Sequence, residues 1–297
     1  MKIERPALYV VGTPIGNMDY FSPRGAEILA AVDFIAAEDT RVTRKLLTHC
    51  GIKKELVSYY EHNLRERGEE IIRRLQSGAC CALCSDAGMP AISDPGEDIV
   101  RLAAAAGIPV HSVPGPSAVV TALALSGLPT GRFTFEGFLS TSRKSRMEHL
   151  ADIRTERRTM IFYEAPHKLL TTLSDLLDAL GDRPVAVCRE LTKLHEDVLR
   201  TTLSGALAHF RQTPPKGEFV LVVGGAEPEQ KASSGSVSPE EFSRFLAARA
   251  ADGCGKKEAL ALAASHFGLT RNEAYALSLS IKRASADEMQ KNFPQSP

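Results

Sequence analysis

The run Leu83-Cys84-Ser85-Asp86-Ala87-Gly88-Met89-Pro90-Ala91-Ile92-Ser93-Asp94-Pro95-Gly96 carries an apolar stretch straight into a loop dense in glycine, proline and aspartate. Such a loop can turn its backbone N–H groups and short polar side chains towards one point, as strand ends do when they hold a small polar ligand. Pro114-Gly115-Pro116-Ser117 repeats the arrangement after the next apolar stretch, and Gly12-Thr13-Pro14-Ile15-Gly16-Asn17 follows the first one. The chemistry implied is recognition of a small molecule, with a carboxylate or imidazole near a strand end available to move a proton. Glu38, Asp39, Glu61, His62, Glu164 and Glu190 are the candidates for that proton transfer. Each has a structural alternative as an ion pair with a neighbour, such as Asp39 with Arg41 or Glu190 with Arg189. Asp86 reads either as a ligand-binding group or as an Asx-turn or cap, and Asp94 as a cap ahead of Pro95-Gly96.

Several familiar signatures are missing. No G-x-G-x-x-G follows a strand, so a nicotinamide oxidoreductase lacks its fingerprint, and Gly12 with Gly16 lacks the Lys-Ser/Thr ending of a P-loop. Ser117 lies in P-G-P-S, not in the G-x-S-x-G of a hydrolase elbow. Cys81 and Cys84 form a C-x-x-C, but on a strand these two positions face opposite ways. With Cys50, Cys188 and Cys254 scattered, the cysteines read as buried thiols and no metal is expected.

The elements that must position these loops alternate. Strands are predicted over 7–11, 34–37, 56–60, 80–84 and 110–113. The intervening helices fall at 23–31, 41–50, 64–76, 97–106 and 117–126, which is the pattern of a largely parallel sheet. Ser22-Pro23 supplies an N-cap with proline at N1, and Gly51 a helix stop. Strands at 133–135, 159–163, 185–188, 198–202 and 219–223 follow, with helices at 143–153, 167–180 and 203–212. Arg189 to Thr202 offers too little chain for a helical crossover, so this second sheet is expected to be mixed. The expected domains are 1–130, 131–225, a polar linker at 226–237 and a helical region at 238–297. In the last, Thr270 with Glu273 reads as a capping box, and the outline fits either a helix-turn-helix or a plain helical hairpin.

Across 297 residues the chain is 43% hydrophobic and 24% charged, ordinary for a globular protein with a sizeable core. Lys+Arg and Asp+Glu both number 36, so nucleic-acid binding has to come from local clusters. Arg41, Arg44 and Lys45 share a helix face, and Arg143, Lys144 and Arg146 stand in a Ser/Thr-rich stretch that could close on RNA. Arg65, Arg67, Lys256 and Lys257 are lesser candidates, and Tyr59 or Tyr60 could stack on a base. No apolar run reaches a membrane span and the first residues lack a signal-peptide core, so a cytoplasmic protein is expected.

The segment 8–17 resembles the start of the bacterial ribosomal RNA small subunit methyltransferase I family. Ala37-Glu38-Asp39-Thr40-Arg41, Tyr60-Glu61-His62-Asn63, Ser85 to Gly96, Pro114 to Ser117, Phe162 to Lys168 and Arg189 to Lys193 fit that family in order. The resemblance implies the tetrapyrrole methylase fold, two α/β domains with S-adenosylmethionine in the cleft between them, plus the C-terminal helices as an appendage. It implies methylation of a cytidine ribose 2′-OH in the decoding region of 16S ribosomal RNA, by a homodimer. Such a reaction needs in-line positioning, water exclusion and disposal of one proton, and neither a metal nor a covalent nucleophile. The resemblance places the cofactor against Pro14, Asp86, Gly88, Met89, Ile92, Ser93, Ser117 and Ala118, with Glu164, Ala165, Glu218 and Phe219 closing the site. Asp39 and Glu61 are the preferred proton acceptors, and Arg41 orients phosphate or carboxylate. The loop Gly12-Thr13-Pro14-Ile15-Gly16-Asn17 departs from the Gly-x-Gly-Pro-Gly-Asp of the tetrapyrrole enzymes, which argues against a porphyrin-type substrate. Two rivals stay open: a tetrapyrrole or other small-molecule methyltransferase, and a non-catalytic RNA-binding or ribosome-assembly module.

Overall fold

A computed structural model describes residues 3–227 and 237–291, with side chains described through Ile281. Residues 228–236, most of the expected linker, and 292–297 lie outside the described residues. The first 226 residues form one compact unit and the helices from Pro239 onward belong to a second.

The first unit opens with β1 (Ala7–Val11), α1 (Pro23–Ala31), β2 (Phe34–Ala37), α2 (Thr40–His49), β3 (Glu55–Ser58), α3 (Leu64–Gln76), β4 (Cys80–Cys84), α4 (Glu97–Ala105) and β5 (Val110–Val113). Their order across the sheet is β3-β2-β4-β1-β5, and every pairing is parallel. A sheet covered on both faces needs strands that are apolar on both faces. The run Cys80-Cys81-Ala82-Leu83-Cys84 meets this need, being buried throughout. Cys80, Ala82 and Cys84 pack with Ile28, Leu29, Leu46 and Leu47 of α1 and α2, while Cys81 and Leu83 pack with Ile71, Leu75, Ile99 and Ala103 of α3 and α4.

α5 (Ala118–Ser126) leads out of this sheet, and β6 (Phe133–Phe138), α6 (Arg143–Asp152), β7 (Thr159–Glu164), α7 (Leu169–Leu180), β8 (Pro184–Arg189), β9 (Asp197–Thr202), α8 (Leu203–Gln212) and β10 (Phe219–Val223) complete the unit. The second sheet runs β6-β7-β10-β8-β9, with β6 parallel to β7 and the remaining pairs antiparallel. One face holds Met160, Phe162, Val187 and Leu221 against α6, α7 and α8, a layer in which each buried large side chain contributes about 1.5–3 kcal/mol. The other face holds Ile161, Ala186, Cys188 and Val220 against Val119, Ala122 and Leu123 of α5. α5 therefore packs on the second sheet although it precedes the boundary expected at residue 130.

Some element limits differ from the sequence reading, for local reasons. β3 ends at Ser58: the Tyr59 N–H makes a last bond to the Ala37 carbonyl of β2, and the Tyr60 N–H turns away to donate to the Asn63 side chain. Tyr59 goes inward and is 1% exposed, whereas Tyr60 is exposed. β6 continues to Phe138 by way of a register shift between Phe135 and Gly137. α7 begins at Leu169, after a turn closed by the Lys168 N–H donating to the Ala165 carbonyl.

The second unit contains α9 (Pro239–Ala251), α10 (Lys256–His266) and α11 (Arg271–Lys291). Phe242, Ala263, Ala264 and Ala274 form its centre, with Phe245 and Phe267 packed on it. The capping box is reciprocal: the Glu273 N–H donates to Thr270 Oγ1 at 3.2 Å, and the Thr270 N–H donates to Glu273 Oε2 at 2.6 Å.

Candidate active site in the cleft between the two sheets

Because β1 to β5 are all parallel, their five C-terminal loops emerge on one rim. The chain leaves β1 for β2 on one side and leaves β4 for β5 on the other, so a crevice opens between β1 and β4, the usual ligand position in an open α/β sheet. The two loops at this crevice are tied together. The Thr13 N–H donates to the Gly88 carbonyl at 2.8 Å and the Gly88 N–H to the Thr13 carbonyl at 3.2 Å. Beneath them Gly12 and Gly115 cross backbone to backbone: a Cβ on Gly12 would lie 2.6 Å from the Gly115 nitrogen, and one on Gly115 would lie 2.7 Å from the Gly12 carbonyl. Only glycine permits that approach.

The second sheet faces the same crevice. Antiparallel pairing sets Phe219, the first residue of β10, opposite both Glu164 and Arg189, the last residues of β7 and β8. A cavity of about 370 Å³ lies between the sheets. From the first sheet it is lined by Gly88, Met89, Ile92 and Ser93 after β4 and by Ser117 and Ala118 at the start of α5; from the second, by Glu164, Ala165, Glu218 and Phe219. Pro14 and Asp86 line instead a neighbouring cavity of about 220 Å³, together with Thr13, Gly16, Val42 and Thr43. Ile15, Ala87 and Glu218 border both. The cavity also takes in Phe138, Tyr163 and Asp94, which the sequence reading did not place there. Tyr163 sits inside a motif that was legible; Phe138 reaches the site only through the β6 shift.

Backbone strain is concentrated at this cleft. Among the described residues, the non-glycine positions with positive φ are Ala91 (69°), Ser93 (67°), Glu190 (50°) and Thr192 (67°), two on the β4 loop and two after β8. Each costs about 1–3 kcal/mol and persists where the surroundings over-determine it. Lys193 holds the second loop in place: its Nζ donates to Glu190 Oε1 and to Glu218 Oε2, both at 2.9 Å. Its aliphatic stem lies on Gly16, where an added Cβ would come within 2.6 Å of Lys193 Cγ.

The acidic groups divide by environment. Asp39 caps α2 and forms a two-pronged pair with Arg41, whose guanidinium and N–H pull its carboxyl down to about 2. A carboxylate that weakly basic is a poor proton acceptor, so the expected role of Asp39 gives way to its ion-pair alternative. Glu61 is exposed, as is His62, which meets Tyr60 edge-on at 6.1 Å. Asp86 Oδ1 accepts from the Asp39 N–H at 3.0 Å and Glu38 Oε2 from the Asp86 N–H at 3.2 Å, so these two carboxylates bind the ends of β2 and β4 together. Burial raises the pKa of both, and nearby negative charge adds to it. Burial tends to raise Glu190 as well, but Lys193 and the Glu218 N–H outweigh it and leave that group lowered. Glu164 is buried and accepts from the Ala165 N–H and the Thr172 hydroxyl.

Asp94 is not a cap: Gly96 occupies the N-cap of α4 and no side chain bonds there. Its carboxyl is pushed up to about 7, first by burial and then by the charges of Glu38 and Asp86, with the Ser85 hydroxyl opposing.

The basic candidates also divide. Arg44 and Lys45 stand exposed on α2 without an ion pair among the described residues, and Arg143 and Lys144 are exposed at the start of α6. Arg146 points back into its own lobe. Its Nε donates to Asp175 at 2.7 Å and its Nη1 to the Ser140 carbonyl at 3.0 Å, so it belongs to the packing of α6 on α7 and is withdrawn as an RNA contact. This stretch is the first turns of a helix rather than a loop.

Residues 7–207 match the family model of Tetrapyrrole (Corrin/Porphyrin) Methylases. The chain is 47% identical over 276 residues to the ribosomal RNA small subunit methyltransferase I of Synechocystis, covering 93% of this chain and 98% of that protein. It is 45% identical over 276 residues to the protein of the same name from Halalkalibacterium halodurans, covering 92% and 94%. Among solved structures, uroporphyrin-III-C-methyltransferase from Thermus thermophilus superposes with a TM-score of 0.52 at 20% identity, covering 73% of this chain and 94% of that one.

Proposed function

We propose, from the premise that this chain belongs to the tetrapyrrole methylase family and within it to the ribosomal RNA small subunit methyltransferase I group, that it is an S-adenosylmethionine-dependent methyltransferase of ribosomal RNA. The observation that carries this reading is near full-length identity to proteins of that name, joined to a preformed cavity at the strand ends.

The residues fit the methyl donor. The cavity of about 370 Å³ falls in the ordinary range for small-molecule sites. Met89, Ile92, Phe138 and Phe219 give it apolar walls for an adenosine, and Ser93 and Ser117 give it polar ends. Ser117 caps α5 without using its side chain, which leaves the N–H groups of the first turn to receive a carboxylate. When bound, the donor supplies a methyl group already activated by a sulfonium. What remains for the protein is to orient the acceptor oxygen, keep water out and receive a proton.

The finer assignment is methylation of a cytidine 2′-OH in 16S ribosomal RNA of the small subunit, by a cytoplasmic homodimer. Arg41, Arg44, Lys45, Arg143 and Lys144 would provide phosphate contacts, which hold RNA without reading its sequence. No helix among the described residues is long and apolar enough to cross a membrane. Transfer of labelled methyl to small subunits from cells lacking the protein, followed by nuclease mapping, tests the assignment. Label should appear in a nuclease-resistant dinucleotide beginning with cytidine. Label on a base, or none, overturns it. Transfer to a tetrapyrrole in place of rRNA would favour the small-molecule reading instead.

A further inference from the structure

The larger cavity suits the methyl donor, and the smaller one adjoins it along Ile15, Ala87 and Glu218. An acceptor hydroxyl has to meet the methyl group in line with the carbon–sulfur bond. The group that carries it must therefore come in beside the donor.

One side chain of the smaller cavity points to a ligand there. Thr43, near the start of α2, is 2% exposed and lines this cavity, yet its Oγ1 has no hydrogen-bond partner among the described residues. A buried hydroxyl left without a partner is costly, and native interiors seldom keep one without a reason. Thr13 offers the contrast, because its Oγ1 donates to the Ser85 carbonyl at 3.1 Å.

The rest of the lining decides what kind of group fits. Ile15, Met18, Val42 and Leu46 supply apolar walls. Lys193 is the one cation bordering the cavity among the described residues, and Glu190 and Glu218 already hold its ammonium. With the carboxylates of Asp86 and Glu218 at the same border, a phosphate would meet negative charge and no free cation. The volume of about 220 Å³ is below the about 300–1,000 Å³ of sites for drug-sized ligands, so it suits a single flat, neutral ring.

We propose that the smaller cavity is the acceptor subsite, that it holds the base of the nucleotide being methylated, and that Thr43 is the specificity residue that hydrogen-bonds this base. The assignment rests on the rRNA methyltransferase reading above. The base leaves its stack and enters between the apolar walls, while its ribose stays at the shared border beside the methyl group. The Thr43 hydroxyl gains its partner only when the base is in place. Two carboxylates and a hydroxyl make a lining rich in acceptors, which suits the amino group of cytosine better than the carbonyl that uracil carries at that position.

Two variants and one altered substrate test the proposal. Thr43→Val keeps the shape and removes the hydroxyl, so Tm should hold or rise, because no partner is lost. Single-turnover transfer to small subunits, at subsaturating RNA, should nonetheless slow by at least about tenfold. Val42→Phe puts a ring into the cavity and should slow transfer by at least about a hundredfold. Donor affinity by calorimetry should stay within about threefold of wild type in both, since neither side chain lines the donor cavity. Wild-type protein should act at least about tenfold more slowly on subunits carrying uridine at the mapped position. Val42→Phe turning over within about threefold of wild type overturns the subsite, and Thr43→Val doing so overturns the role of the hydroxyl. Thr43→Val carries the test should Val42→Phe not fold, and a Tm lowered by more than about 3 °C would make its hydroxyl structural instead. Equal rates on cytidine and uridine subunits overturn the reading of the base. Saturation-transfer NMR of free cytidine, on protein loaded with S-adenosylhomocysteine, gives a readout without turnover. Its ring-proton signals should be present with wild type and lost with Val42→Phe; equal signals from both overturn the subsite. Such signals from a wild-type chain that methylates no rRNA would overturn the ribosomal substrate and support the subsite.

Discussion

In the β1–β5 sheet every strand runs the same way, so one rim collects five loops, and the crevice between β1 and β4 is a consequence of strand order. In the β6–β10 sheet the strands run both ways, and the same rim is made from the ends of β7 and β8 and the start of β10. The first arrangement makes the site from backbone: crossing glycines and the Thr13–Gly88 tie. The second makes it from side chains held by a deep core. Defects in the two sheets should accordingly have different signatures, one appearing mainly in binding and the other mainly in stability.

Phe162→Ala, in the core beneath β7, should give the largest loss of stability, about 3–5 kcal/mol, while the folded fraction keeps donor affinity within about threefold. Urea melts with parallel calorimetry measure both, and a tenfold loss of affinity would erase the distinction between the sheets. Gly12→Ala should cost about 2–3 kcal/mol through the collision with Gly115 and also weaken donor binding by at least about tenfold. Gly131→Ala, where an added Cβ meets nothing, should stay within about 0.5 kcal/mol of wild type. Arg146→Ala should lower stability by about 1–2 kcal/mol through the lost Asp175 pair. Lys144→Ala should leave stability unchanged and shift only the salt dependence of rRNA binding. If the two exchanged signatures, Arg146 would return as an RNA contact.

The smallest effect is one of pH. The Asp94 carboxyl titrates near 7 in the folded chain and near 4 when unfolded, so the folded state holds its proton more tightly. The cost of the buried charge is present above about pH 7 and fades as pH falls towards the unfolded value. Asp94→Asn should therefore raise Tm by about 2–4 °C at pH 8, after allowance for partial exposure, and change it by less than about 1 °C at pH 4. Equal shifts at both values would place the gain in packing rather than charge.

Much of this was legible along the chain. Alternating apolar runs with Gly/Pro/Asp loops gave the two α/β sheets, the mixed character of the second and the loops that line the cavity, because periodicity and turn chemistry are local properties. The Thr270–Glu273 box was local too, and the C-x-x-C lay on a strand whose alternate faces separated its two thiols. The roles of individual acidic and basic groups were not legible. Asp39, Asp86 and Asp94 have the same side chain in similar loops, and Arg143 and Arg146 stand in the same helical turn.

What the sequence determined by itself was which segments pair, bend and face inward, since those preferences act over a few residues. Only the tertiary structure decided that α5 covers the second sheet and that Arg146 turns towards Asp175. It alone set Asp39 in the grip of Arg41 and left Asp94 part-buried beside other carboxylates. A carboxylate's basicity depends on the water it loses and on charges that reach it through space, and neither can be read from its neighbours along the chain.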